Sequence, residues 1–307
     1  MSGTLLLVQV LNGLQLGVIL FLVAAGLTLV FGVMGFINLA HGVQYMVGAY
    51  LTWQFHAWTG NFALGLALAL VTALGLGLLL ERLIFRQLYD RDHLDQVLAT
   101  FGVILFVNEA VKVVWGPVPL SLAPPEWLAG SVTLVPGLLY PVYRFAVIGA
   151  GLLVALGLYL LVMRTRAGML VRAGSTHPDV VAALGVDIRK LFMAVFGFGA
   201  MLAGFAGGLA APLFAVQTGM GDDLLIVAFV VIVIGGIGSI RGAFVAALLV
   251  GLVDTVGRQL LTDGLRLALD PSSANQIGPA LASMLVYVVM AVILAIRPTG
   301  LFAGKAA

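Results

Sequence analysis

The chain has no cysteine, four histidines and only three lysines, at positions 112, 190 and 305. Without cysteine there is no disulfide framework and no thiolate metal site. Those lysines do not fall in a Gly-x-x-x-x-Gly-Lys-Ser/Thr loop, so ATP hydrolysis through a P-loop is excluded. There is no His-Glu-x-x-His. Ser239, in Gly236-Ile-Gly-Ser-Ile, lacks glycine two residues before it, and no histidine follows His177 to serve as its base. This argues against an intramembrane hydrolase. No carboxylate or second histidine joins His41 at metal-ligand spacing, so neither a metal nor another cofactor is expected. The most telling absence is charge: the first Asp, Glu, Lys or Arg is Glu81. Soluble surfaces are built largely from charged groups, so this first stretch faces lipid or other membrane-buried protein.

Composition agrees, with 62% hydrophobic residues, 9% charged and a mean hydropathy of +1.16. At roughly 20 apolar residues per spanning helix, 307 residues give about eight to ten spans. The expected fold is all-α, a polytopic membrane helix bundle forming a single transmembrane domain over 1–307. Fifteen Lys and Arg against thirteen acids is too small an excess, too scattered, for nucleic acid. The amino-terminal run lacks a basic region and a clear cleavage site, and reads as a first span and not a removable signal.

Spans are expected near 5–32, 38–58, 62–80, 96–114, 145–163, 193–216, 224–240, 242–262 and 280–296. Basic residues concentrate at 81–95 (Arg82, Arg86, Arg91), at 164–192 (Arg164, Arg166, Arg172, Arg189, Lys190) and in the tail (Arg297, Lys305). The positive-inside rule makes these segments cytoplasmic and turns 115–143, 217–223 and 263–279 outward. The side of the amino terminus stays open.

Thirty-nine glycines are the second feature. Ala200, Gly204 and Gly208, and Ala243, Ala247, Gly251 and Thr255, recur every four residues, a spacing that lets helices approach closely. It suits packing within the chain or a subunit interface. Two glycine-rich passages, 30–42 and 233–242, align at a shift of 203 residues through Gly32/Gly235 and Gly35/Gly238, a faint internal repeat. Such paired interruptions mark broken helices around a transport path or short turns between spans. The path reading takes Gly35, Asn38, His41, Gly235, Gly238 and Ser239 as pathway residues.

Polar residues at depth are few. Asp254 shares the face of Ala247 and Gly251, with Arg258 one turn on; the two form a helix-pinning ion pair or belong to the pathway. Glu109 and Lys112 read as a structural pair, with Lys112 reaching the interface. In the long basic loop, Thr176 is expected to cap a short helix running through Asp179, Ala182 and Ala183 to a stop at Gly185, whose small-residue surface suits docking in a partner's groove.

Five blocks then resemble one known family: Gly35-Phe-Ile-Asn-Leu-Ala-His-Gly42, Glu81-Arg-Leu-Ile-Phe-Arg86, Arg172-Ala-Gly-Ser-Thr-His-Pro-Asp-Val-Val-Ala-Ala-Leu-Gly185, Gly235-Gly-Ile-Gly-Ser239 and Arg297-Pro-Thr-Gly-Leu301. They look like the permeases of bacterial branched-chain amino acid ABC importers, nearest the H-type (LivH-like) subunit. Asp254 stands where Glu is more familiar, and Gly174-Ser replaces a more usual pair. The resemblance implies a second, M-type permease subunit, two cytoplasmic ATPase subunits and an extracytoplasmic substrate-binding protein, all at the bacterial inner membrane. It implies that 176–187 is a cytoplasmic coupling helix touching an ATPase through Thr176, Asp179, Ala182, Ala183 and Gly185. Relatives of this shape also carry urea, amides and other amino acids. A self-sufficient secondary transporter would fit the broken helices but normally carries more intramembrane ionisable groups.

Overall fold

The structure is a computed structural model and describes residues 3–302. Lys305, counted above with the basic tail, lies outside the described residues. Eleven α-helices are present among the described residues: α1 (Gly3–Met34), α2 (His41–Thr59), α3 (Phe62–Leu83), α4 (His93–Trp115), α5 (Val142–Arg164), α6 (Arg166–Thr176), α7 (Pro178–Ala183), α8 (Ile188–Ala210), α9 (Met220–Gly235), α10 (Ile240–Leu265) and α11 (Pro271–Ile296). A small hairpin of β1 (Ser131–Val135) and β2 (Leu138–Pro141) precedes α5. Seven of the described helices, α1, α3, α4, α5, α8, α10 and α11, are long and apolar enough to cross a membrane, so the protein is a multi-pass membrane protein. Helix α9, of 16 residues, is about 24 Å long, short of a hydrocarbon core about 30 Å thick.

Helix α1 is the centre of the bundle. Its run Val18–Ala25 is almost completely buried, and α10, α8, α5 and α9 pack around it. Glycines set these approaches. A Cβ on Gly17 would stand 2.9 Å from the Ala247 carbonyl oxygen and one on Gly26 would stand 2.6 Å from that of Gly199. Both small-residue stripes are thereby spent inside the chain. Gly204 abuts Gly48 and Ala73, Gly208 faces Leu66 and Thr52, and Gly251 lies against Gly13 and Gly17.

Basic segments gather at one end. Phe85 stacks on Phe36 and Phe196, and Tyr89 on Phe36 and Phe192, which joins the 81–95 loop to the starts of α2 and α8. Glu81 is fully buried beneath this cluster, held by a bidentate Arg86 and by the Tyr89 hydroxyl at 2.9 Å. That partner set explains a carboxylate in this apolar place. Asp187 caps α8, and the Lys190 backbone N–H holds its carboxyl below the usual range. At the other end Leu120 and Val216 exchange both backbone hydrogen bonds, at 2.8 Å each, while the start of α1 meets the start of α5 through Asn12, Tyr140 and Arg144. Helix α1 therefore begins at the end opposite the basic loops.

Four boundaries differ from the sequence reading. Helix α8 stops at Ala210 and not at 216, because Pro212 disfavours helix before it. Helix α9 starts at Met220, after Gly219 at φ +80°. Helix α11 starts at Pro271, capped by Asp270, and carries Pro279 inside, where the expected span began. Thr176 does not cap α7: it ends α6, its hydroxyl donates to the Arg172 carbonyl, and His177 precedes α7 without a side-chain cap.

Candidate translocation site

The chain enters the membrane incompletely in two places. After α1, residues 35–40 run back from the basic end until His41 lies beside Gly26 and its Nε2 meets the Val23 carbonyl at 3.1 Å, two to three turns above the end of α1. After α8, residues 211–219 return inward until Gly221, in the first turn of α9, lies against Gly42, in the first turn of α2. The amino-terminal turns of α2 and α9 therefore meet inside the bundle. They are partial helices whose first N–H groups open at membrane depth.

The second glycine passage does something else. Gly236 (φ +97°) and Gly238 (φ +80°) form a tight turn between α9 and α10, Ser239 caps α10 by accepting from the Gly242 N–H at 3.0 Å, and Gly235 packs against Gly242. It is the turn reading that holds at 236–239, and the positional counterpart of the 35–40 break is 211–219. The two passages still touch, Gly238 lying on Gly32 at the basic end. Gly35, at φ +62°, closes α1 with open space beside it. Asn38 and His41 are fully buried; among the described residues neither Asn38 amide atom has a hydrogen-bond partner, and the His41 ring faces the Gln44 side chain. Gln44, three residues further, lies against an apolar groove between α2, α3 and α4.

Asp254 lies apart from these, about 21 Å along α10 from its start. It lines a cavity of about 930 Å³ enclosed by α1, α9, α10, α11 and the start of α5. Arg258 grips Asp254 with Nε at 3.1 and 3.0 Å and Nη2 at 2.8 Å, and also reaches the Ser283 hydroxyl at 3.4 Å. Residues that the sequence reading did not select supply the rest of the wall. Gln9, Asn12 and Gln15 recur every three residues on α1, and the wall adds Tyr45, Arg144 and Asp223. The stripe was visible in the sequence as the polar exception in an apolar helix. Arg144 and Asp223 could not be joined to it without the tertiary fold.

The helix of the basic loop is exposed. Thr176, Asp179, Ala182, Ala183 and Gly185 are all accessible, Gly185 at φ +87° with open space beside it. Val180 and Leu184, which the sequence reading passed over, present apolar surface at 58% and 79% exposure.

Partial helices meeting at membrane depth beside a mixed polar and apolar cavity are the build of a membrane transport protein. Residues 9–294 match the family model described as branched-chain amino acid transport system, permease component. The chain is 30% identical over 271 residues to the high-affinity branched-chain amino acid transport system permease protein BraD of Pseudomonas aeruginosa, covering 83% of this chain and 87% of the relative. It is 28% identical over 274 residues to the permease LivH of Escherichia coli K12, covering 83% and 86%. A probable branched-chain amino acid transport permease protein LivH of Methanocaldococcus jannaschii is 28% identical over 78% of this chain and 76% of its own length. No solved structure matches the chain significantly. The chain belongs to the family of permease components of branched-chain amino acid transport systems.

Proposed function

We propose that the chain is the H-type permease of an ABC importer for branched-chain amino acids at the bacterial inner membrane. A second permease completes the pathway, two cytoplasmic ATPase subunits supply the energy and an extracytoplasmic binding protein delivers substrate. The observation that carries this reading is the exposed α7 at the basic end: a short helix with bare Val180 and Leu184 has no use on a free membrane protein, and it fits a groove on an ATPase. Movement of the ATPases reaches the membrane helices only through such a contact. The pathway runs from the polar cavity at Asp254 past the meeting point of α2 and α9 to Asn38 and His41, and leaves beside Gly35, Gly235, Gly238 and Ser239. Open space beside Gly35 gives the end of α1 room to shift.

Proteoliposomes holding the chain with its partner permease, ATPases and binding protein are expected to accumulate radiolabelled leucine only when ATP is supplied on the ATPase side. Accumulation without ATP, or none of any branched-chain amino acid, overturns the assignment. Sidedness has its own test. Single cysteines at Arg91 or Thr176 in this Cys-free chain are expected to resist an impermeant thiol reagent added from outside, and cysteines at Trp127 or Leu267, 70% and 91% exposed, to react. Leu122 and Gly221 lie in segments read as outward-facing, yet Leu122 is only 8% exposed and Gly221 is packed on Gly42, so they make poor reporters.

A further inference from the structure

Two polar groups in the wall of the 930 Å³ cavity are not fully matched by their own chain. Arg144 sits in the first turn of α5, where the helix dipole disfavours a cation. Among the described residues it has no acidic partner; its Nη1 donates to the neutral Asn12 Oδ1 at 2.5 Å. Gln15 is 5% exposed, lines the same cavity, and among the described residues its Oε1 has no hydrogen-bond partner. Burying an amide oxygen without a donor costs about 1–3 kcal/mol. Both groups line one cavity and are linked through Asn12. Asn12, which holds Arg144, lies three residues before Gln15, one turn away on the same helical face, about 5–6 Å between Cβ atoms.

From this juxtaposition we infer that the permease itself carries a binding station for a zwitterionic amino acid. The Arg144 guanidinium takes the α-carboxylate and the Gln15 amide oxygen takes the α-ammonium, while the apolar wall of Leu16, Leu20, Val227 and Val250 takes the side chain. The amide of Gln15 can turn about its terminal torsion to present its oxygen to the cavity. Arg258, the other cation of the wall, is already paired with Asp254, which among the described residues of the wall leaves Arg144 without a carboxylate. An α-amino acid holds its two charged groups on one carbon, so Arg144 from α5 and Gln15 from α1, both facing the cavity, can engage them together. A solute with only one of the two charges meets only half of the station.

This inference rests on the amino-acid import reading, and its test separates the two. The assembled transporter in lipid nanodiscs, with the binding protein left out, is titrated with radiolabelled L-leucine. Saturable binding is expected, with poor competition by isocaproate, which lacks the ammonium, and by isoamylamine, which lacks the carboxylate. Arg144→Met and Gln15→Met are each expected to weaken leucine binding about tenfold or more, and Arg144→Lys to recover part of the loss. Co-purification with the ATPases certifies each variant as assembled, and a variant that fails that check leaves the other to decide. If the wild-type transporter imports leucine but binds none without the binding protein, or if the assembled variants bind it like wild type, the station is refuted and the import reading stands. Competition by isoamylamine or isocaproate equal to that of leucine itself also refutes it. If the complete transporter imports some other solute and no amino acid, the import reading fails first.

Discussion

Leucine uptake by the assembled transporter is expected to fall at least tenfold when Ala182 or Leu184 is replaced by Glu, with membrane insertion and protein amount near normal. Both side chains are exposed on or just after α7, so neither change disturbs the bundle. In a complex they would bring a carboxylate into a contact that excludes water, where loss of one well-buried anchor costs about 2 kcal/mol or more. ATP hydrolysis should continue but lose its stimulation by loaded binding protein. Leu184 discriminates best: at 79% exposure it supports nothing within its own chain. Normal uptake and normal stimulation in both variants would make 164–192 a solvated linker and move the search for the contact to 81–95. Gly185→Trp is a weaker probe, because φ +87° strains any side chain there whatever partner lies beyond it.

The second large effect is expected at the meeting of the partial helices. A Cβ on Gly221 would fall inside the contact radius of the Gly42 carbonyl oxygen, and one on Gly42 would collide with Gly221 in the same way. Backbone blocks both sides, so the cost of Gly221→Val or Gly42→Val exceeds the about 1–3 kcal/mol of ordinary overpacking. Both variants should lose most of the folded protein, read as detergent-extractable monodisperse material, and with it all uptake. Gly75→Val is the control: nothing stands within 4 Å of a Cβ there, and yield should hold. Wild-type yield and uptake from Gly221→Val would mean that α2 and α9 do not meet as described.

The all-helical membrane bundle and the grouping of basic loops could be read from sequence because lipid and charge impose them residue by residue, whereas the expectation of about eight to ten spans exceeds the seven described helices long and apolar enough to cross. Glu81 as the first charge, the arginines of 164–192 and the four-residue stripes of small side chains each report on a local requirement. The re-entrant geometry could not be read that way. Residues 193–216 are one apolar run with a proline near its end, and hydropathy does not distinguish a helix that stops at Ala210 from one that continues. The repeat between 30–42 and 233–242 paired glycines of similar spacing and different duty, since Gly35 ends a helix before a re-entry whereas Gly236 and Gly238 turn a corner. Gln96 was missed for a related reason. It is 3% exposed and accepts from the Ile37 N–H while donating to the Leu88 and Arg91 carbonyls, a staple between distant segments that no spacing announces.

The paired backbone of Leu120 and Val216 has a mechanical consequence. Separating them would leave two N–H and two C=O groups without their partners at the lip of the cavity, and the Gly219 N–H is held in addition by the Asn108 side chain at 3.1 Å. The 115–143 loop and the lead-in to α9 are therefore latched into one stiff piece. A load applied to that loop is delivered, with little slack, to the turn that carries Asp223.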